Sequence, residues 1–166
     1  LKNKYNYYKP ANEVWLVYIG TLGLSYDIPL ILRSMKILQD KGIKNLKFII
    51  IGDGPLKNKF EMISNNLRVN SEFIGRVSYG FMVSVLGKCD IAVNPIRKFS
   101  AGSIINKVGD YAASGLPVIN TQESEEYRNI VDDYNIGFNC SAEDTYDVAE
   151  KILLLYENSD LRNRMG

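Results

Sequence analysis

Apolar and polar positions along the chain fall into short blocks that switch between two periods. Residues 14–20 (VWLVYIG) form an apolar run closed by glycine, and residues 46–52 (LKFIIIG) form a β-branched one. Between them, residues 27–41 place Ile28, Ile31, Leu32, Met35 and Leu38 at helical spacing, with Pro29 in the first turn and Gly42 as the stop. Pro55 then opens a predicted helix over 56–67. Residues 71–75 read as a third strand and 79–87 as a third helix. Residues 90–94 (DIAVN) are a fourth strand. The helix predicted next spans 103–114, with Ser103 as N-cap and Gly115 just past the end. Residues 117–120 and 136–140 are further short strands around a helix over 125–134. A long helix over 144–156 follows, and a short one begins at Asp160 behind Ser159.

Strands that alternate with helices imply βαβ units with right-handed crossovers. The predicted fold is α/β: a doubly wound, Rossmann-like parallel sheet of about six strands with helices on both faces. Residues 1–12 are polar, tyrosine-rich and carry Pro10, which predicts a linker; residues 13–166 form the domain. The chain lacks an initiating Met and stops in a charged helical turn, LRNRMG, which reads as an excised domain.

Composition narrows the chemistry. The 166 residues carry a net charge of +1, so nothing points to nucleic acid or an anionic membrane as the main partner. No run approaches the roughly 20 apolar residues of a membrane span. There is no histidine, which removes His-based triads, proton shuttles and the commonest metal ligand. Cys89 and Cys140 match no zinc spacing and read as free thiols of a reducing compartment.

In a sheet of this kind ligands bind beyond the carboxyl ends of the strands. Gly20-Thr21-Leu22-Gly23 lies there, and its two glycines suit either a close ligand or a plain tight turn. Gly52-Asp53-Gly54-Pro55 is turn chemistry before a helix, which is the preferred role of Asp53. The most informative stretch is 97–117, RKFSAGSIINKVGDYAASGLP. A glycine-rich turn there leads into a helix whose first amides face the sheet's mouth. Ser103, Asn106, Lys107 and Asp110 fall on one side by helical spacing, with Ile104, Val108, Ala112 and Gly115 toward the other. Lys107 would meet phosphate and Asp110 would accept hydrogen bonds from ribose hydroxyls. The competing reading is a surface Lys107–Asp110 pair of small consequence. Gly109 weakens this helix and suggests close packing.

The segments YIGTLG (18–23), FIIIGDGP (48–55), FIGRVS (73–78), DIAVNP (90–95) and DYAASGLPVI (110–119) come in an order and spacing that resemble the C-terminal domain of retaining glycosyltransferases of family 4, the group 1 type. The resemblance covers nearly the whole chain and implies the C-terminal half of a GT-B fold. It implies that Asp110 holds the ribose. The family's first acidic residue falls on Gly102, and its two loop cations fall on Thr21 and Tyr26, so all three are missing here. Lys107, with Arg97 or Lys98, is the candidate to supply that charge. The nucleobase would lie near Gly75, Arg76 and Val77.

The resemblance thus implies a donor-binding domain that serves sugar transfer from a nucleoside diphosphate sugar to a glycan or lipid-linked acceptor. Catalytic candidates are Lys107 and Asp110. Donor-binding candidates are Gly20, Thr21, Gly23, Gly52, Arg76, Val77, Gly102, Ser103, Ile104 and Asn106. The implied partners are the nucleotide-sugar donor and an N-terminal acceptor-binding domain of the same protein. No metal or other cofactor is implied. The expected location is the cytoplasm, with the inner face of the cell membrane reached through the preceding domain. A nucleotide-sugar epimerase or hydrolase on the same fold, and a non-catalytic nucleotide-binding module, are the alternatives.

Overall fold

Val14–Ile19 (β1) is buried along its whole length, because side chains from both faces of the strand meet helices. A computed structural model describes residues 8–100 and 106–166. Within them β1 pairs in parallel with Leu46–Ile51 (β2) on one side and Ile91–Asn94 (β4) on the other. Ser71–Gly75 (β3) lies outside β2, while Val118–Asn120 (β5) and Gly137–Asn139 (β6) extend the sheet beyond β4. The strand order is β3-β2-β1-β4-β5-β6, all parallel, so the sheet has six strands and its winding reverses between β1 and β4. That reversal opens a crevice at the carboxyl ends of the strands.

The alternation along β1 divides the core. Val14, Leu16 and Tyr18 pack with Leu46, Phe48 and Ile50 beneath the helices Ile28–Asp40 (α1), Lys57–Leu67 (α2) and Thr145–Glu157 (α6). Trp15, Val17 and Ile19 pack with Ile49, Ile51 and Ala92 on the opposite face. That face is covered by Tyr79–Leu86 (α3), Lys107–Ala113 (α4) and Glu125–Asp133 (α5). A fully buried side chain of this size contributes roughly 1.5–3 kcal/mol, so these two layers hold the sheet. Cys89 and Cys140 are both buried and free, and burial pushes each thiol up to about 12, which makes them packing residues.

The ends of the helices follow the sequence with small shifts. Asp27 caps α1 by accepting from the Leu30 N–H at 3.1 Å, and Gly42 follows with φ +94. The last helix, Ser159–Met165 (α7), is capped by the Asn158 side chain at 2.9 Å and not by Ser159. Ser103, expected to cap the helix before β5, lies outside the described residues. The described part of that helix starts at Lys107 after Asn106, whose side chain makes no capping bond.

The faces of α4 differ from the helical-wheel reading. Lys107 and Tyr111, one turn apart, point into the protein, and Ala112 is exposed. Gly109 is exposed as well, with nothing within 4 Å of where a Cβ would stand, so it serves no close packing among the described residues.

Candidate functional site

The carboxyl ends of β1, β2 and β3 frame a cleft of about 370 Å³ lined by Ile19, Gly20, Thr21, Ile51, Gly52, Asp53, Arg76, Val77 and Met82. Five of the expected donor-binding residues, Gly20, Thr21, Gly52, Arg76 and Val77, therefore share one wall. The backbone there is drawn tight by glycine. Gly20 and Gly52 have φ of +137 and +146, and the Gly20 N–H donates to the Ile51 carbonyl at 2.9 Å. The turn after β2 locks onto the turn after β1: Leu22 N–H donates to the Asp53 carbonyl, and Leu56 N–H to the Leu22 carbonyl. Asp53 keeps its carboxylate for the turn, accepting from Gly54 N–H at 2.8 Å, and stands 3.9 Å from the exposed guanidinium of Arg76. Gly23 starts the bend toward α1, its carbonyl accepting from Tyr26 N–H.

Lys107 is not the surface residue of the competing reading. It is 7% exposed, and its ammonium lies 4.0 Å from the ring centroid of Tyr18 and 3.9 Å from that of Tyr26. The two rings meet edge to face at 5.7 Å, so the nitrogen is held by both. A Cβ at Gly20 would stand 3.0 Å from Nζ, which puts the charge directly beside the first-strand turn. Among the described residues, Nζ has no hydrogen-bond partner. Burial pulls its pKa down from 10.5 to about 7, because an ammonium out of water loses solvation that no carboxylate here replaces. The ring faces oppose that loss through cation–π attraction.

Asp110 does not pair with Lys107. It accepts a hydrogen bond from the Tyr79 hydroxyl at 3.1 Å, which in turn raises the pKa of that phenol. Asn106 is exposed. Gly102, Ser103 and Ile104 lie outside the described residues. Arg97 is turned toward Asp27, with NH2 3.8 Å from Oδ1, and Lys98 lies over the exposed ring of Phe99.

The roles of several tyrosines and asparagines escaped the sequence reading. Tyr111 reaches from α4 between β1 and β4, accepting from Ile19 N–H at 3.0 Å and donating to the Val93 carbonyl at 3.2 Å. Burial raises its pKa far above the usual phenol range, so it stays neutral. Tyr18 donates to the Thr21 carbonyl at 2.7 Å, bracing the same turn. Beyond β4 the floor is an amide ladder: Asn94 donates to Asn120 and Asn120 to Asn139, each at 2.9 Å across paired strand ends. The signal was present as an asparagine near the end of three successive strands.

A buried cation with no partner among the described residues, beside a glycine turn at the switch point of a doubly wound sheet, suits an anionic ligand. Residues 2–166 match the family model described as glycosyl transferases group 1. The chain belongs to that family. It is similar to an uncharacterised glycosyltransferase of Methanocaldococcus jannaschii, 28% identical over 99% of this chain and 44% of the relative. This group 1 chain thus spans less than half the length of that curated relative. The fold matches the catalytic domain of cholesterol-α-glucosyltransferase from Helicobacter pylori with a TM-score of 0.76, 18% identity, and 92% and 91% of the two chains covered. It also matches S. aureus TarM, solved with fondaparinux, α-GlcNAc-glycerol and UDP, with a TM-score of 0.79, 19% identity, and 96% and 32% covered. The sheet is that of the C-terminal domain of GT-B glycosyltransferases. Among the described residues, no helix is long and apolar enough to cross a membrane, and no group of three His, Cys, Asp or Glu is placed to hold a metal ion.

Proposed function

We propose that this group 1 domain binds the diphosphate of a nucleoside diphosphate sugar between the Gly20 turn and α4, as the donor-binding half of a retaining glycosyltransferase. The observation that carries the reading is Lys107: a buried ammonium with no partner among the described residues, set against the turn that borders the cleft. Diphosphate oxygens supply the partner it lacks. Asp110 accepts from the ribose, and Gly75, Arg76 and Val77 line the nucleobase end. Gly102, Ser103, Ile104 and Asn106 complete the proposed donor-binding set. A preceding domain supplies the acceptor, a glycan or lipid-linked sugar of cell-surface polysaccharide synthesis, and closes over the cleft. The chemistry is stabilisation of a leaving diphosphate by fixed donors and cations, which needs no metal in this reading. Two buried free thiols fit a cytoplasmic setting.

The test is titration of UDP and GDP into the 166-residue chain, followed by calorimetry or amide shifts. With half of the cleft supplied by another domain, the expected dissociation constant is high-micromolar to millimolar, roughly −4 to −6 kcal/mol. Lys107→Ala should weaken binding about ten- to a hundredfold, from a charge-assisted bond of about 1.5–3 kcal/mol. Asp110→Asn should cost less for the diphosphate and act on the ribose contact. Absence of any perturbation at millimolar nucleotide, or wild-type binding by Lys107→Ala, overturns the reading.

A further inference from the structure

Lysine side chains are flexible and strongly hydrated, and they are almost never buried without an acid to pair with. Lys107 departs from both habits. Three elements converge on its ammonium: Tyr18 from the end of β1, Tyr26 from the segment leading into α1, and the Gly20 backbone between them. Each tyrosine is itself fixed. Tyr18 is fully buried and tied by its hydroxyl to the Thr21 carbonyl. Tyr26 bridges to Ile96 through the backbone and donates its N–H to the Gly23 carbonyl. The rings therefore form a fixed two-sided seat, and the lysine that occupies it comes from a different helix. Other ionisable groups near this seat are Tyr111 and Asp110 on α4. Tyr111 is engaged by Ile19 and Val93, and Asp110 by Tyr79. No carboxylate among the described residues stands within ion-pair distance of Lys107, so its charge is left for a ligand.

We propose that Tyr18 and Tyr26 are the positioning residues of the diphosphate site, an aromatic seat that holds the Lys107 ammonium at the Gly20 turn. The proposal rests on the donor-binding reading given above. Its physical content is that π faces hold a cation without neutralising it. A carboxylate in the same place would fix the lysine equally well but would cancel the field a diphosphate needs. The seat holds a compact charge beside the turn while, among the described residues, no acceptor takes up its N–H donors. Binding of an anion there favours the protonated amine, so nucleotide binding at alkaline pH is accompanied by proton uptake.

The experiment compares UDP binding by wild type and by Tyr26→Phe, Tyr26→Leu and Lys107→Met. Tyr26 is partly buried against the core and Lys107 is buried, so a melting temperature for each variant confirms folding. Tyr26→Phe keeps the ring and should bind within about twofold of wild type, whereas Tyr26→Leu should lose about tenfold. Wild-type affinity should fall between pH 7 and 9, by at most about tenfold per unit, as the buried amine deprotonates. Lys107→Met should show no such fall. If Lys107→Met is defective while Tyr26→Leu binds and titrates as wild type, the seat is wrong and the donor reading stands. If Lys107→Met itself binds as wild type, or wild type binds no UDP, the donor reading fails and takes the seat with it.

Discussion

Gly52 faces the backbone of Gly20 so closely that a Cβ at position 52 would lie 1.8 Å from the Gly20 carbonyl oxygen. The contact joins the ends of β1 and β2 at the floor of the cleft, and Gly52 also holds φ +146, where side chains are strained. No side chain can rotate away from this clash, because the obstacle is backbone. Gly52→Ala should therefore destabilise the fold by about 3 kcal/mol or more, and should open the cleft wall. Urea unfolding measures it. A change under about 0.5 kcal/mol would mean that the two turns separate at little cost.

Gly109 gives the opposite expectation. It lies within α4, is exposed, and a Cβ there would meet nothing within 4 Å. Replacing it with alanine removes backbone freedom from the unfolded chain and adds no clash. Gly109→Ala should stabilise by roughly 0.5–1 kcal/mol. A lower melting temperature would show that the helix needs glycine for a reason outside this packing.

The amide ladder across β4, β5 and β6 is a buried polar network in which every member depends on the next. Asn120 sits at its centre, fully buried, accepting from Asn94 and donating to Asn139. Asn120→Ala removes the acceptor of the Asn94 amide and of the Gln122 N–H and the donor to Asn139, while Asn94 keeps its bond to Gln122. The expected loss is about 2–3 kcal/mol, since each orphaned buried group costs about 1–3 kcal/mol. Denaturant unfolding of Asn120→Ala against the milder exposed variant Asn106→Ala separates this from a general effect of asparagine loss.

The parallel sheet of about six strands was legible because β1 is apolar throughout, β2 is apolar except at Lys47, and each helix carries its own period. Glycines at 20, 52 and 75 marked the strand ends, and the cleft lies there. The orientation of Lys107 was not legible. Spacing places it with Asn106 and Asp110, and a charged residue is by default assigned to water. What turns it inward is the pair of rings supplied by Tyr18 and Tyr26, residues far away in sequence. Tyr18 itself was hidden inside an all-apolar run, where no alternation distinguishes one face from the other. Local consistency fails at this one helix face, as expected where binding competes with stability.

Lys107 makes that competition measurable through pH. Its pKa is about 7 in the folded chain, against 10.5 unperturbed. Below pH 7 both folded and unfolded states carry the proton, and folding bears the full penalty of burying the charge. Between about 7 and 10.5 the unfolded chain holds a proton that the folded one has released, so stability rises with pH across this window, by at most about 1.4 kcal/mol per unit. Above it both states are neutral and the dependence ends. Other lysines and the tyrosines titrate at the alkaline end, so the quantity to follow is the difference between wild type and Lys107→Met. The variant should be the more stable at pH 6, by an amount on the order of a few kcal/mol, and its advantage should shrink steadily toward pH 10. Saturating UDP should narrow the gap at pH 7, because wild type gains more from the ligand than the variant does. Parallel stability curves for the two proteins from pH 6 to 10 would show that the ammonium is hydrated in the folded chain and that its enclosure by Tyr18 and Tyr26 is incomplete.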